Sequence, residues 1–188
     1  MYRYVICIAI CTIIWIINGR WIAQGVKEDV ASEAYIHTGL GIFFTLLTLE
    51  LTLGTVGMWT QFNISQMRII GLILYIPSAY LVAAAMHDLQ HKGRPESGDP
   101  TATTIFIDAG IYGAVRQPLT LGVAIWSIAL ILVFQSILSV FLSILSVFCF
   151  WMSARKESEY NIKKFGDRYK EYMDEVPMWN VFRVLKKC

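Results

Sequence analysis

Three apolar stretches and one uncharged run of about double length set the rhythm of the chain. The first stretch, Tyr4 to Ile17, follows Arg3 and ends at Asn18-Gly19-Arg20. It is shorter than the roughly 20 residues a span needs, but tyrosine and tryptophan at its edges suit the membrane interface. Bulky Trp21 and Ile22 follow instead of a small-x-small cleavage site, so an uncleaved helix is expected. Residues 19–35 read as a mixed-charge loop. The second stretch, from about Ile36 to Trp59, holds Glu50 well inside it. A carboxyl at that depth is either functional or hydrogen-bonded to a neighbouring helix, because an ionised one against lipid is expensive. The third runs from about Met67 to Met86, contains Pro77 and is closed by His87-Asp88.

Residues 88–109 form the longest hydrophilic segment, with turn formers Gly93, Pro95, Gly98 and Pro100 and the apolar lead-in Ile105-Phe106-Ile107-Asp108. From Gln117 to Ala154 no residue is charged. One helix of that length would exceed about 50 Å, against a hydrocarbon core of roughly 30 Å, so it must fold back. Gln135-Ser136 is the polar pair near its middle, and the turn is placed there. Ser139, Ser143 and Ser146 give the second arm a small-residue packing face. Ser153 to Val176 then reads as a charged helix with Ile162, Phe165, Tyr169, Tyr172 and Val176 on one side. Gly166 is expected to divide it, Asp167 to cap the second half, and Pro177 to stop it.

Composition fixes the class these elements belong to. Only 16% of residues are charged, 56% are hydrophobic and the mean hydropathy is +0.53. Soluble domains carry about a quarter charged residues, so this pattern predicts an integral membrane protein. The expected fold is all-α: one domain, 1–188, of about five transmembrane helices, the last two a hairpin, with a cytosolic C-terminal helix. Cys7, Cys11, Cys149 and Cys188 show neither zinc spacing nor a disulfide framework, and no metal site is expected. Cys188 is the last residue, not the fourth from the end, so it does not form a prenylation box. The net charge of +2 is too small to suggest nucleic acid.

Lysine and arginine set the expected orientation. With five spans, Arg20, Lys27, Lys92, Arg94, Arg116 and the nine tail cations from Arg155 to Lys187 share one side, leaving Arg3 and Arg68 opposite. Positive loops stay inside, which puts the tail in the cytosol and the N-terminus outside. The tail's basic face is suited to anionic lipid heads.

The candidate chemistry centres on Gly110-Ile-Tyr112-Gly-Ala-Val-Arg116-Gln117-Pro118. Pro118 fits the first position of a helix, whose free N–H groups form an anion site at the membrane boundary. The spacing Gly110-x-Tyr112-x-x-x-Arg116-Gln117-Pro118 resembles the Gly-x-Tyr-x-x-x-Arg-His-Pro signature of the isoprenylcysteine carboxyl methyltransferase family and its phospholipid methyltransferase relatives. Glu157-Ser158-Glu159 with Phe165-Gly166-Asp167-x-Tyr169-x-x-Tyr172 is similar to that family's second motif, and Val176-Pro177 to its usual ending. The likeness covers the half from His87 onward, about 87–188.

That resemblance implies a membrane methyltransferase using S-adenosylmethionine on a lipophilic or prenylated acceptor, with the cofactor between the loop before the hairpin and the helix after it. Two departures stand out: Gln117 replaces the motif histidine and cannot titrate, and Ser158 splits the glutamate pair, making Glu157 the better match and Glu159 second. Arg155 and Glu159, four apart, share a helix face. The implied roles are Arg116, Glu157 and Arg155 at the catalytic centre. Around the cofactor stand His87, Gly110, Tyr112, Arg116, Gln117, Pro118, Glu157, Glu159, Phe165 and Tyr169. Of these, Arg116 and the helix start at Pro118 would take the cofactor's carboxylate, and Glu157 or Glu159 its ammonium or ribose hydroxyls. Tyr112, Phe165 and Tyr169 would wall the adenine. Loss of the histidine favours carboxyl methylation of an isoprenylcysteine-type or other small lipophilic acceptor, which needs no base. The alternatives are phospholipid N-methylation, an NADPH-dependent sterol-type reductase, and a non-catalytic membrane protein on the same scaffold.

Overall fold

The structure, a computed structural model, describes residues 2–93 and 105–180. Pro95, Gly98, Pro100, Arg94 and the last three tail cations lie outside the described residues, as does Cys188. Among the described residues there are seven α-helices and no strand: α1 (Tyr2–Lys27), α2 (Ala31–Thr52), α3 (Ser65–Lys92), α4 (Ile111–Ala114), α5 (Pro118–Phe134), α6 (Ile137–Phe165) and α7 (Asp167–Glu175). α1, α2, α3 and α6 are long and apolar enough to cross a membrane, and α5 is a shorter apolar helix of 17 residues. The chain is a multi-pass integral membrane protein.

Two boundaries differ from the sequence expectation. Residues 19–35 are not a loop: α1 continues to Lys27, α2 begins at Ala31, and the chain reverses at Asp29 with φ 56°. Nothing lies within 4 Å of where a Gly19 side chain would begin. That glycine therefore costs only its propensity, about 1 kcal/mol, and does not break the helix. Likewise His87-Asp88 does not close α3, which runs on to Lys92.

The long helices stand in a row, α1–α2–α6–α5–α3, so the hairpin α5–α6 fills the middle. Lipid tails are as apolar as leucine, so such helices associate through close packing and shared hydrogen bonds. Both are visible. A Cβ on Gly39 of α2 would fall 2.6 Å from the ring of Phe150 of α6, itself fully buried, so only glycine lets the two axes approach this closely. Between α3 and α5, the Ser78 hydroxyl donates to the Gly122 carbonyl at 2.6 Å. Ser139, Ser143 and Ser146 are all fully buried along α6, as their spacing suggested.

The hairpin turns at Gln135-Ser136. Gln135 is left-handed (φ 54°), and Ser136 with Ser139 forms a reciprocal cap on α6. Its tip is stitched to the link between α2 and α3, because the Gln135 amide accepts from Ile64 N–H and donates to Ile64 C=O, both at 2.9 Å. Glu50 is fully buried beneath this knot. Its carboxyl accepts from the Trp59 indole (3.0 Å), the Gln61 amide (2.7 Å) and the Ser136 hydroxyl. Of the two sequence readings of Glu50, the hydrogen-bonded one fits this arrangement.

Candidate functional site

At the other end of the bundle, the segment before α5 lies against the segment after α7. Arg116 N–H donates to Pro177 C=O (3.0 Å) and Gln117 N–H to Met178 C=O (3.3 Å). The Arg116 side chain, 9% exposed, adds two bonds from Nη1 to the carbonyls of Met173 and Val176, each 3.2 Å. These are carbonyls of the kind a helix end leaves without intrahelical partners. Arg116 thus fastens the C-terminal end of α7, and its buried Nε has no partner among the described residues. The Tyr172 hydroxyl donates to the Tyr112 carbonyl at 2.6 Å, and the Trp179 indole to the Thr120 hydroxyl at 3.2 Å. Pro118 opens α5 in its first turn.

Gly110 shapes the approach to this seam. Its φ of 68° suits glycine, and a side chain there would strike the Asp88 carboxyl. Asp88 is held by Lys92 at 2.6 Å and accepts from Ile111 N–H at 3.4 Å, so it caps the short α4 from the end of α3. Gly110→Ala should therefore cost about 1–3 kcal/mol through strain and a displaced carboxyl. A drop of several degrees in the unfolding temperature of the detergent-solubilised protein would register it, and an unchanged value would show that the loop relaxes freely.

Beyond Ala154, α6 leaves its charge-free portion and carries the acidic residues out of the apolar layer. One turn of α6 advances about 100° per residue, so Arg155 and Glu159 share a face and Glu157 points the opposite way. Arg155 is exposed, its guanidinium 4.9 Å from the Trp151 ring centre, and exposed Glu159 pairs with Lys156 at 2.8 Å. Glu157 turns inward, where the Gln117 amide hydrogen-bonds it. Burial, and next the negative charge of nearby Glu33, push the Glu157 carboxyl up to about 7, with the Gln117 bond opposing them. Tyr112, Tyr169 and Tyr172 are all pushed up by burial first, and the charge of Glu157 adds to each. The three rings therefore lie within electrostatic reach of the same carboxyl.

Tyr169 and Tyr172 pack with Phe106 and Phe165 (ring centres 4.9–5.6 Å from Phe106), and this aromatic wall forms a separate small core with Val176. Gly166, with φ 66°, makes the corner between α6 and α7. It also occupies the cap position of α7 assigned from sequence to Asp167, which instead pairs with Lys170 at 2.7 Å. His87 is an exposed residue stacked on His91, with ring centres 4.2 Å apart, and meets Asp88 of its own helix. The structure thus brings together Tyr112, Arg116, Gln117, Pro118, Glu157, Phe165 and Tyr169, shaped by Gly110, and leaves His87, Arg155 and Glu159 on the outside. Sequence reasoning did not single out Asp88, which meets Ile111 N–H, or Tyr172, which bonds the Tyr112 carbonyl.

Two open grooves lie elsewhere. One is lined by Tyr2, Arg3, Ile6, Leu51, Thr52 and Thr55, the other by the Ile8–Ile16 face of α1. The first is at the opposite end of α2 from its start at Ala31.

A cationic cofactor with a carboxylate and an aromatic base has partners here. Arg116 holds a buried Nε with a hydrogen to donate, Glu157 is an acid with no ion pair among the described residues, and the tyrosines offer ring faces. The residues present fit S-adenosylmethionine. A helical membrane bundle with an acid, a guanidinium and an aromatic wall gathered at its polar end has the layout of an enzyme for amphiphilic substrates. The family model described as PEMT, phospholipid methyltransferase, matches residues 67–168, more than half of the chain, and the protein belongs to that family. It is a membrane methyltransferase that uses S-adenosylmethionine. The matched segment runs from α3 into α7 and includes the first motif and the second as far as Asp167, whereas Tyr169, Tyr172, α1 and α2 lie outside it. No curated protein and no solved structure matches the chain.

Proposed function

We propose that the protein methylates the amine of a membrane-resident amphiphile, at a cleft between the α5 start and the emerging half of α6. The observation carrying this reading is Glu157, an acid turned inward from α6 beside Gln117 with no ion pair among the described residues, in a chain of the phospholipid methyltransferase family. A carboxylate acceptor would enter against this acid. An ammonium would be attracted to it. The acceptor favoured on sequence grounds alone, an isoprenylcysteine-type carboxylate, thus becomes the second reading. The reductase alternative loses support, since Lys92 is tied to Asp88 and Arg116 to the end of α7.

When bound, S-adenosylmethionine supplies an electrophilic methyl group on a sulfonium. The protein's part is placement. Arg116, with the N–H groups opening α5, takes the cofactor's carboxylate; Glu157, held by Gln117, takes its ammonium or ribose hydroxyls; Tyr112, Phe165 and Tyr169 wall the adenine. His87, Arg155 and Glu159 serve the rim, where Arg155 meets lipid heads. In this reading α5 is the fifth span, the cleft and tail face the cytosol and the N-terminus lies outside, as the excess of lysine and arginine on that side supports.

Purified protein in nanodiscs, given methyl-labelled S-adenosylmethionine, tests the acceptor. Label on the nitrogen of phosphatidylethanolamine is expected. Label as a base-labile methyl ester on N-acetyl-S-farnesylcysteine, with none on nitrogen, would overturn the amine reading. Calorimetry showing no heat with S-adenosylhomocysteine would point to a non-catalytic protein.

A further inference from the structure

Of the three histidines in the chain, two stand four residues apart at the exposed end of α3. A helix places such positions on one face, one turn above the other. The His87 and His91 rings accordingly stack, with centres 4.2 Å apart and planes 21° from parallel. Each ring has one nitrogen already committed. His91 Nδ1 lies 2.9 Å from the His87 carbonyl, which can only accept, so that nitrogen carries the proton. His87 Nδ1 faces Asp88 Oδ1 at 3.7 Å, and a carboxylate there draws the proton to the same nitrogen of this ring. In their neutral form both rings therefore keep the lone pair on Nε2. Metal-binding histidines are arranged in this way, the second nitrogen donating to a carbonyl or carboxylate that fixes tautomer and orientation. Asp88 is not a third ligand, since Lys92 takes Oδ1 at 2.6 Å and Ile111 N–H meets Oδ2 at 3.4 Å. The same contact matches the charge of Lys92, so a cation can approach the pair.

We propose that His87 and His91 chelate one divalent transition-metal ion through their Nε2 atoms. Two imidazoles bound to one ion at about 2.1 Å hold their nitrogens roughly 3 Å apart. Rings already 4.2 Å from centre to centre reach that spacing by small side-chain rotations. Imidazole suits copper, nickel and zinc, with copper(II) held tightest, and water fills the positions left open. Cysteine spacing, which gave no reason to expect a metal, does not bear on a site built from two histidines. The ion joins two successive turns of α3 around Asp88, the residue that receives Ile111 N–H beside Gly110. It thus braces the anchor of the Gly110 turn, whichever acceptor the enzyme methylates. Two merely solvated surface histidines would share the spacing and the stacking, but would bind an ion no better than one ring alone.

The test titrates full-length protein in detergent, stripped of metal and freed of chelator, with NiCl2 in a calorimeter. One ion per chain is expected, and the unfolding temperature should rise in its presence. His87→Gln and His91→Gln should each weaken binding about tenfold or more, because a chelate is reduced to a single imidazole. A double variant, Gln90→His with His91→Gln, keeps the histidine count but turns the second ring about 100° round the helix. It should bind as weakly as His91→Gln alone. Parental affinity in either single variant, or recovery in the double one, overturns the proposal, as does a parent that takes up no ion. Should His87→Gln not fold, the exposed His91 position decides alone. Electron paramagnetic resonance of the Cu2+-loaded parent gives the ligand set: coupling to two imidazole nitrogens is expected, and fewer refutes the chelate.

Discussion

Replacing Glu157 with glutamine is expected to weaken S-adenosylhomocysteine binding by about 30-fold or more, the scale of losing a hydrogen bond to a buried charge. Glutamine keeps the shape and an oxygen for Gln117, so the loss isolates the charge. Binding a cationic group beside Glu157 must pull its carboxyl down from about 7, so the parent should release a proton on binding near neutral pH. Calorimetry in buffers of different ionisation heat measures that proton, and the variant should release none. The stability effect runs the other way. The folded-state value lies above the ordinary 4.5, so the stabilisation from this group is full below about 4.5 and is lost as pH rises through about 7. Glu157→Gln should consequently unfold at a higher temperature than the parent at pH 8. A variant that binds normally would sink the assignment of Glu157 to the cofactor.

Glu50→Ala is expected to be the most destabilising single change away from the cleft. It strands the indole of Trp59, the amide of Gln61 and the hydroxyl of Ser136. Each buried polar group left unsatisfied costs about 1–3 kcal/mol, so a loss of at least about 3 kcal/mol follows. The damage should fall on stability alone, because this knot ties the hairpin tip to the α2–α3 link at the far end of α6 from Glu157. Molecules that remain folded should transfer methyl groups at the parental rate. A thermal midpoint within a degree or two of the parent would show that the three donors find new partners.

How far the chain can be read unaided differs by region. The hairpin was legible because an uncharged run too long for one crossing must turn, and Gln135-Ser136 was the polar pair near its middle. The end of α1 was not, because Gly19 and Arg20 mimic a loop while nothing in the sequence reveals that the glycine faces open space. Around Arg116, the motif residues were visible as a resemblance, but their physical work was not. Gly110 makes room for Asp88, and Arg116 grips the end of α7, a contact across 57 to 60 positions that no local pattern encodes. Of the two acids, α6 presents Glu157 inward and Glu159 to the outside, which is why the proposed site takes Glu157. A motif alignment leaves that direction open when the pair is split by Ser158.

α6 is one unbroken helix of 29 residues, capped at Ser136 and carrying Glu157 beyond its last apolar turn. At 1.5 Å per residue, cap and acid stand about 30 Å apart, close to the thickness of a bilayer's oily layer. The working height of the cleft is thus written into a ruler with no joint. Bilayers thinner or thicker than that ruler should tilt the whole bundle and shift the headgroup plane relative to Glu157, so turnover should peak at a matching acyl-chain length.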